Sequence, residues 1–600
     1  MACPVTKKAW LALALAAVLA PAAAAQDDAK DWPSYNRDAI GTRHNPGERA
    51  IDKSNAGRLE EKWRFPAKDS KQEIGVIHAT PVVVDGYVYF GTATDPTFYK
   101  LTPDGKIRWS YRNPARGPAP KAPPADEKAR AARFQQSADG IFGSALVTKD
   151  TVFFGDIGGW FYALDRATGK ERWKLNARAK EFPGAHPINC FFASPILADG
   201  KLIVGGGALE QVVAGVFPGY KGCTGRGFVA ALDPKTGRVL WKYDVGPKPE
   251  PLDPPITIKD SWGDHVFNFG PSTSTVWSTP SFDAETGTIF FGTDANNSPR
   301  RPTKDDPRLW TRESDAIVAL DVRNGSEKWV TQIGKGDVWT VALRGYDPKE
   351  GRYKDQAIGD TPKVYTIPVE GKPTKVVGAG CKNGGFYVLR ADSGRVVAHT
   401  PVYAGPPTYP LSPKPDPRTV ALPGVIGGLQ TGCATDGRTI FTNGIDCVRM
   451  GTLEKREVVP PTAGRVVALS LDTRTERWRY ERPKIATIGG PKPKPVYTDV
   501  GDPVASGVAV ANGVVYFTTV ASGKLLALDA ATGAVLKEIA LGPVWSGPSV
   551  SRGRVYVGTG NTLFSPADYE TYFPKKYTGV LYSFGLPGED EVSRLGGGKE

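Results

Sequence analysis

The six cysteines are the most reactive side chains of this 600-residue chain, and their spacing excludes more chemistry than it permits. No Cys-x-x-Cys-His run is present, so no c-type haem is covalently attached, and no Cys/His cluster has zinc-site spacing. Cys3 precedes an apolar run and cannot be an acylation site, which would sit at a cleavage point. That leaves Cys190, Cys223, Cys381, Cys433 and Cys447, an odd number, so one thiol remains over even where disulfides form. Cys433 and Cys447 flank a short strand-like segment and are the expected pair.

Residues 1–25 read as a secretory signal peptide: Lys7 and Lys8, an apolar run, then small residues up to Ala25. No other stretch is long and apolar enough for a membrane span. The mature chain, 26–600, is therefore expected to be exported and soluble, with the periplasm as its address. The net charge of +13 comes from scattered basic residues, which gives no nucleic-acid footprint and at most a preference for an acidic partner.

The positioning framework is a repeat. "FYALDRATGKERW" ends at Trp173, "VAALDPKTGRVLW" at Trp241 and "IVALDVRNGSEKW" at Trp329. "FYAL" alternates as a half-buried strand does, Asp165 opens a turn, Gly169 supplies a positive φ, and a second strand ends on the aromatic. Weaker copies end at Trp109 and Trp478, and two more end at Val397 and Leu536 without the Trp. Ahead of each lies another strand pair such as "ATPVVVDGYVYFGT". About eight such units predict a single all-β, eight-bladed β-propeller over 26–600, with the Trp residues packing between blades. Trp63 lacks a preceding hairpin strand and "GVLYSFGLPG" lacks a following one, so the last blade is expected to combine both chain ends. Proline-rich stretches such as "GPKPEPLDPPITIKD" read as loops on one propeller face.

The ALD-x-x-TG-x-x-W repeat, with "DWPSYNRDAIGTRHNP" and "NAGRLEEKWRF" before it, resembles the tryptophan-docking motif of quinoprotein dehydrogenases, propellers that hold pyrroloquinoline quinone (PQQ). "YKGCTGRGFVAALDPKTG", "VWSTPSFDAETGTIFFGT", "GDVWT" and "GGLQTGCATDG" look like the polyvinyl-alcohol dehydrogenase branch. The resemblance implies a periplasmic PQQ-dependent alcohol dehydrogenase with a small or polymeric alcohol as substrate. It also implies an external electron acceptor such as a cytochrome c, since no haem domain is fused. The alternative is a propeller without cofactor that serves as an envelope scaffold or binding module.

By the same resemblance, Trp277 is the floor under the quinone ring, Lys382 reaches the quinone oxygens, and His186 matches a His-Pro of the branch. Glu210 and Asn296, with Asp294 as rival to Asn296, are the implied Ca²⁺ ligands; Ala342 stands where lanthanide-using relatives carry an extra Asp. The family's catalytic Asp usually closes an Asp-x-Trp-Asp run, but here "GDVWT" has Thr340 in that place. A Thr hydroxyl is a poor base near neutral pH, which leaves Asp337 as the nearest catalytic carboxylate. A vicinal cysteine pair is absent, and so is an Arg in "FQQSADGIFGSALV", where Asp139 stands nearby.

Overall fold

The computed structural model describes residues 30–588 except 116–139, 217–219, 221, 261–262, 274, 301, 306, 341–354, 404–407, 411–418, 422, 424–426, 447–462, 484–500, 521, 543 and 561–577. The leader, Asp139 and Cys447 lie outside the described residues. Among those described, no helix is long and apolar enough to cross a membrane.

Seven consecutive four-stranded antiparallel sheets fill residues 82–111, 146–176, 196–244, 281–332, 363–401, 434–481 and 509–540, with short added strands on two of them. We number these blades one to seven. The eighth pairs Ser549–Ser551, Arg554–Gly558 and Leu581–Gly585 with the N-terminal strand Glu60–Phe65, so the ring closes through both ends as expected.

The repeat explains the ring chemically. In the turn after Phe161–Leu164, the Asp165 carboxylate accepts from the Thr168 N–H at 2.9 Å and the Thr168 hydroxyl at 2.8 Å. Gly169 follows at φ +72°. A register shift between Glu171 and Trp173 inserts one extra residue, and the same irregularity precedes Trp63, Trp109, Trp241, Trp329 and Trp478. Such a bulge re-aims the next side chain. Each of these six indoles donates to a carbonyl in the next motif's turn: Trp63 to Pro103, Trp109 to Arg166, Trp173 to Pro234, Trp241 to Val322, Trp329 to Ala391 and Trp478 to Ala530, all at 2.8–3.1 Å. The ring of each Trp fills the space over that turn's glycine; a Cβ on Gly237 would collide with Trp173 and one on Gly325 with Trp241. The apolar core lies between neighbouring blades, as where Phe153 and Phe161 of blade two meet Leu202 and Phe228 of blade three.

One expectation is corrected. The proline-rich stretch after Gly246 is not loop alone: Glu250–Asp260 forms a strand paired with Gly263–Gly270, because prolines at a sheet edge need no N–H there. A short helix, Glu210–Val216, interrupts blade three. Cys433 is a buried free thiol, as are Cys190, Cys223 and Cys381, and the expected pairing of Cys433 with Cys447 falls outside the described residues. Burial pushes the Cys190 thiol up to about 12 and the Cys433 thiol well above its ordinary value, which keeps both protonated and inert.

Candidate active site

Rings from different blades meet at the propeller axis. His78 lies 4.9 Å from Phe142 and 6.4 Å from Trp545, and Phe142 lies 5.1 Å from Phe192. These residues open the innermost strands of blades one, two, three and eight, in "HATP", "FGSA", "FASP" and "WSGP". Trp277 holds the same place in "WSTP" ahead of blade four. Ahead of blade five stands Gly359, where a Cβ would run into the Trp277 ring, so the missing side chain makes room for the indole across the axis. Burial drives the His78 imidazole down to about 3, leaving it neutral.

Beside Trp277 the segment 355–360 ties several candidate residues together. The Gln356 N–H donates to Asp337 Oδ2 at 2.9 Å, the Gln356 carbonyl accepts from Cys381 Sγ at 3.0 Å, and the Ala357 carbonyl accepts from the Lys382 N–H at 3.0 Å. Lys382 Nζ then reaches Asp355 Oδ2 at 2.5 Å, with both side chains nearly inaccessible, and sits 5.9 Å from the Trp339 ring centroid. At the other end, Asp360 takes the Lys363 ammonium at 2.6 Å and the N–H groups of Gly380 and Cys433 at 2.9 Å, a fully partnered structural anchor.

Among the described residues, four buried carboxylates, Asp294, Asp315, Asp337 and Asp355, therefore influence one another, and the Lys382 ammonium acts on Asp315 and Asp355. Asp315 directly precedes the strand Ala316–Asp321 of blade four at φ +50°, clamped by its N–H on the Asp294 carbonyl and by its own carbonyl, which accepts from the Ile333 and Gly334 N–H groups. Neither of its carboxylate oxygens has a hydrogen-bond partner. Burial first, then Asp337, Asp355 and Asp294, lift it well above the ordinary carboxylate value, opposed by Lys382. Burial likewise raises Asp355 to about 7, opposed by Lys382. Asp355 Oδ1, Trp339 Nε1 and both side-chain polar atoms of Asn297 are buried without a partner as well. Sequence reading missed Asp315, Asp355 and Asn297. None lies in the repeated turn, and only a carboxylate directly ahead of the apolar run "AIVAL" offered a signal.

The expected metal ligands are placed differently. Glu210, at the start of its helix, is fully buried; Oε1 accepts from the Tyr220 hydroxyl at 2.7 Å and the Thr224 N–H at 2.9 Å. Oε2 accepts from the Gly225 N–H at 2.6 Å and the Ser272 hydroxyl at 3.0 Å. His186 joins this group, its Nε2 at 3.6 Å from Glu210 Oε1 and 3.1 Å from Thr224 Oγ1, and burial lowers its pKa. Asn296 donates to the Leu309 carbonyl at 2.7 Å and its Oδ1 accepts from Ser298 N–H and hydroxyl, so its amide is committed to its own turn. The Asn297 N–H on the Ser272 carbonyl, 2.7 Å, links this turn to the Glu210 group. Asp294 Oδ1 accepts the Ala295 N–H at 2.8 Å. Among the described residues, no three His, Cys, Asp or Glu side chains converge closely enough to hold an ion. The structure thus brings Asp337, Asp294 and Lys382 around Asp355, sets Trp277 against Gly359 of the same strap, and links Glu210 with His186 to Asn297 through Ser272.

Comparison with known proteins decides what this arrangement belongs to. A sequence model described as the glucose/ethanol/alcohol dehydrogenase β-propeller domain matches residues 32–406. The chain belongs to the PQQ dehydrogenase β-propeller family. A second model, described as outer membrane protein assembly factor BamB, matches 462–571. Relatives include a quinohemoprotein alcohol dehydrogenase of Comamonas testosteroni, 28% identical over 61% of this chain and 46% of its own length. A polyvinylalcohol dehydrogenase of Sphingopyxis sp. (strain 113P3) is 24% identical over 85% of this chain and 70% of its own length. The chain spans about half the length of the curated alcohol dehydrogenases that head these matches, 46% for ADH-IIG of Pseudomonas putida. In three dimensions it is similar to the crystal structure of the Comamonas testosteroni enzyme, with a TM-score of 0.64 at 20% identity over 94% of this chain and 81% of that one. A europium-containing methanol dehydrogenase gives 0.60 at 18% identity, over 94% and 99% of the two chains. These two likenesses establish the propeller fold.

Proposed function

We propose that this propeller is a periplasmic PQQ-dependent alcohol dehydrogenase that passes electrons to a separate acceptor such as a cytochrome c. The observation that carries this reading is the concentration of partnerless buried polar atoms on Asn297, Asp315, Trp339 and Asp355, beside the indole of Trp277. Buried polar groups in folded proteins are nearly always hydrogen-bonded, so a cluster of exceptions marks a place shaped for a polar ligand. The residues fit a flat acidic quinone: Trp277 offers a stacking face, and Lys382, the Trp339 indole N–H and the Asn297 amide offer donors. The excess of carboxylates over the Lys382 ammonium among the described residues suits a hard cation such as Ca²⁺ held through oxygen atoms. Glu210 and Asp294 are the residues that would hold it, Glu210 exchanging hydrogen bonds for the ion; Asn296 would have to give up its Ser298 contacts.

When bound, the cofactor supplies a two-electron acceptor for the hydrogen of an alcohol carbon. The protein's own work is to hold that acceptor flat on Trp277, to place Lys382 where negative charge develops, and to exclude water with the buried strap 355–360. The substrate is an alcohol, and the resemblance to the polyvinyl-alcohol branch makes a polymeric one a candidate. Titrating the protein with PQQ, with and without Ca²⁺, while following indole fluorescence, tests the cofactor. Dye-linked oxidation of alcohols from ethanol to polyvinyl alcohol tests the activity. Absence of PQQ binding overturns the reading and favours the scaffold alternative, to which the BamB match over 462–571 and Thr340 in the usual carboxylate position lend support.

A further inference from the structure

We propose that residues 31–45 are an axial plug, latched by Arg43, which closes the end of the propeller channel opposite the aromatic layer and leaves the candidate site a single mouth. The plug does not depend on the dehydrogenase reading, because no part of it involves a cofactor.

The innermost strand of each blade turns an edge to the axis, and its N–H groups need acceptors. One segment supplies them. Val83, Val147, Phe282, Val364, Thr435 and Val510 donate their N–H groups to the carbonyls of Trp32, Pro33, Ala39, Ile40, Thr42 and Arg43, all at 2.7–3.0 Å. The Asn45 amide continues the series on the Val550 carbonyl at 2.7 Å. Chain order thus follows blade order: one, two, four, five, six, seven, eight. The positions are equivalent, each lying five residues after the one that holds His78, Phe142, Trp277, Gly359 or Trp545 in its blade, or Gln430 and Ala505 in blades six and seven. Blade three is the exception. Its counterpart, Leu197, makes no such bond among the described residues and is exposed, whereas the other seven are buried.

Side chains of the segment then cross the axis. Arg43 is fully buried and donates to the Tyr35 carbonyl at 2.6 Å, the Val508 carbonyl at 2.7 Å, the Pro548 carbonyl at 3.3 Å and the Thr80 hydroxyl at 3.4 Å. Glycines make room for it: a Cβ on Gly432, Gly507 or Gly547 would run into Arg43. These three occupy equivalent positions of blades six, seven and eight, where blades one to five carry Thr80, Ser144, Ser194, Thr279 and Thr361. The Gly432 N–H donates to the Tyr35 hydroxyl at 3.1 Å, and the Asn36 amide donates to Thr361 Oγ1 at 3.1 Å. This level lies two residues beyond the aromatic layer, about 7 Å along a strand. The Tyr35 ring lies 4.5 Å from the guanidinium, so the fork is held by fit to neutral oxygens and a ring face, which a lysine cannot reproduce. With that end sealed, whatever reaches Trp277 enters from the other. Because one continuous segment holds seven blades, releasing its latch should loosen blades the latch itself does not hold.

The test uses the full chain with Arg43→Met, which keeps bulk without the donors, and Arg43→Lys. Hydrogen exchange read by mass spectrometry follows the segment and the inner strands. Alkylation by iodoacetamide compares Cys433, buried directly after Gly432, with Cys190, buried beside blade three. Wild type is expected to protect residues 31–45 as well as the rim strands and to leave both thiols unmodified. In Arg43→Met, exchange of 31–45 should quicken by about tenfold or more, the scale of one lost charge-assisted group. The inner strands of blades four and five, held through Ala39, Ile40 and Asn36, should quicken with it. Cys433 should be alkylated while Cys190 stays closed, Ile196–Ala198 should not change, and Arg43→Lys should fall between the two. Quickening confined to blades six, seven, eight and one would make Arg43 a local packing residue and overturn the proposal. So would a wild-type segment that exchanges freely over protected inner strands. Should Arg43→Met not fold, wild type in sub-denaturing urea decides: Cys433 opening before Cys190 supports the plug, and both thiols reacting together overturns it.

Discussion

The rim and the axis of this propeller obey opposite rules. At the rim, six indoles each find a carbonyl and a glycine in the next blade, with their N–H groups satisfied at 2.8–3.1 Å. At the axis, Asn297, Asp315, Trp339 and Asp355 are buried with polar atoms that bond to nothing. Two tryptophans make the contrast concrete. Trp329 is a rim residue whose ring packs on Gly394 and whose N–H is spent on Ala391. Trp277 lies over Gly359 and stays half-buried. The rim is complete as it stands; the axis carries unmet bonding capacity that costs stability unless a ligand takes it up.

The largest expected effect lies at the rim. Trp329→Ala should destabilise the fold by about 3–5 kcal/mol, the usual cost of truncating a core aromatic, as read from denaturant midpoints. PQQ affinity of the remaining folded protein should be unchanged; a matching loss of affinity would merge the two regions. Trp277→Ala should do the reverse, weakening PQQ binding by about 1–3 kcal/mol in a fluorescence titration, the gain in affinity that stacking and burial of one aromatic face provide. A drop in stability as large as that of Trp329→Ala would place Trp277 in the structural class.

A pH series sharpens the comparison. The folded protein holds protons on Asp315 and Asp355 that an unfolded chain releases just above the ordinary value of 3.8. Stability from these groups is complete below that pH and is lost as pH rises, up to about 7 for Asp355. In metal-free protein, wild type should therefore melt at lower temperature at pH 8 than at pH 5. Asp315→Asn should reduce this fall, gaining on the order of 1 kcal/mol at pH 8. An unchanged slope in the variant would mean that Asp315 does not carry the proton.

The smallest effect distinguishes two buried asparagines. Asn189 donates to the Ala177 and Gly184 carbonyls at 3.1 and 3.2 Å, so Asn189→Ala should cost about 1–3 kcal/mol by orphaning its partners. Asn297→Ala breaks no hydrogen bond, so thermal melting should shift by less than about 0.5 kcal/mol while PQQ affinity falls by about 1 kcal/mol.

Legibility in the sequence follows the same division. The turn Asp165–Gly169, the bulged Trp and the ring closure through Trp63 were readable because a local pattern repeats and its physics is local. Trp277 and Lys382 came through resemblance, and the structure sets Lys382 in a buried ion pair that no spacing announced. Asp355 and Lys382 are 27 residues apart on different segments, and Asp315 meets both only because blades four and five are neighbours. The Glu250–Asp260 hairpin was hidden by its prolines, which suggested loop although an edge strand tolerates them. Asn296, with Asp294 as its rival, came through the resemblance too, and no spacing announced that the Ser298 hydroxyl donates to its amide oxygen.

The pairing of Glu60–Phe65 with Leu581–Gly585 has a consequence for biosynthesis. One of the earliest-made strands of the ring waits for one of the latest, across more than 500 residues of chain. Blades can form one by one during synthesis, but the circle stays open until the far strand has emerged, and contacts so distant in sequence make closure slow. Ribosomal truncation anywhere before residue 581 would leave the outer strand of the eighth blade without its neighbour. A nascent chain in that state presents an unpaired β-edge to every holdase and protease it meets.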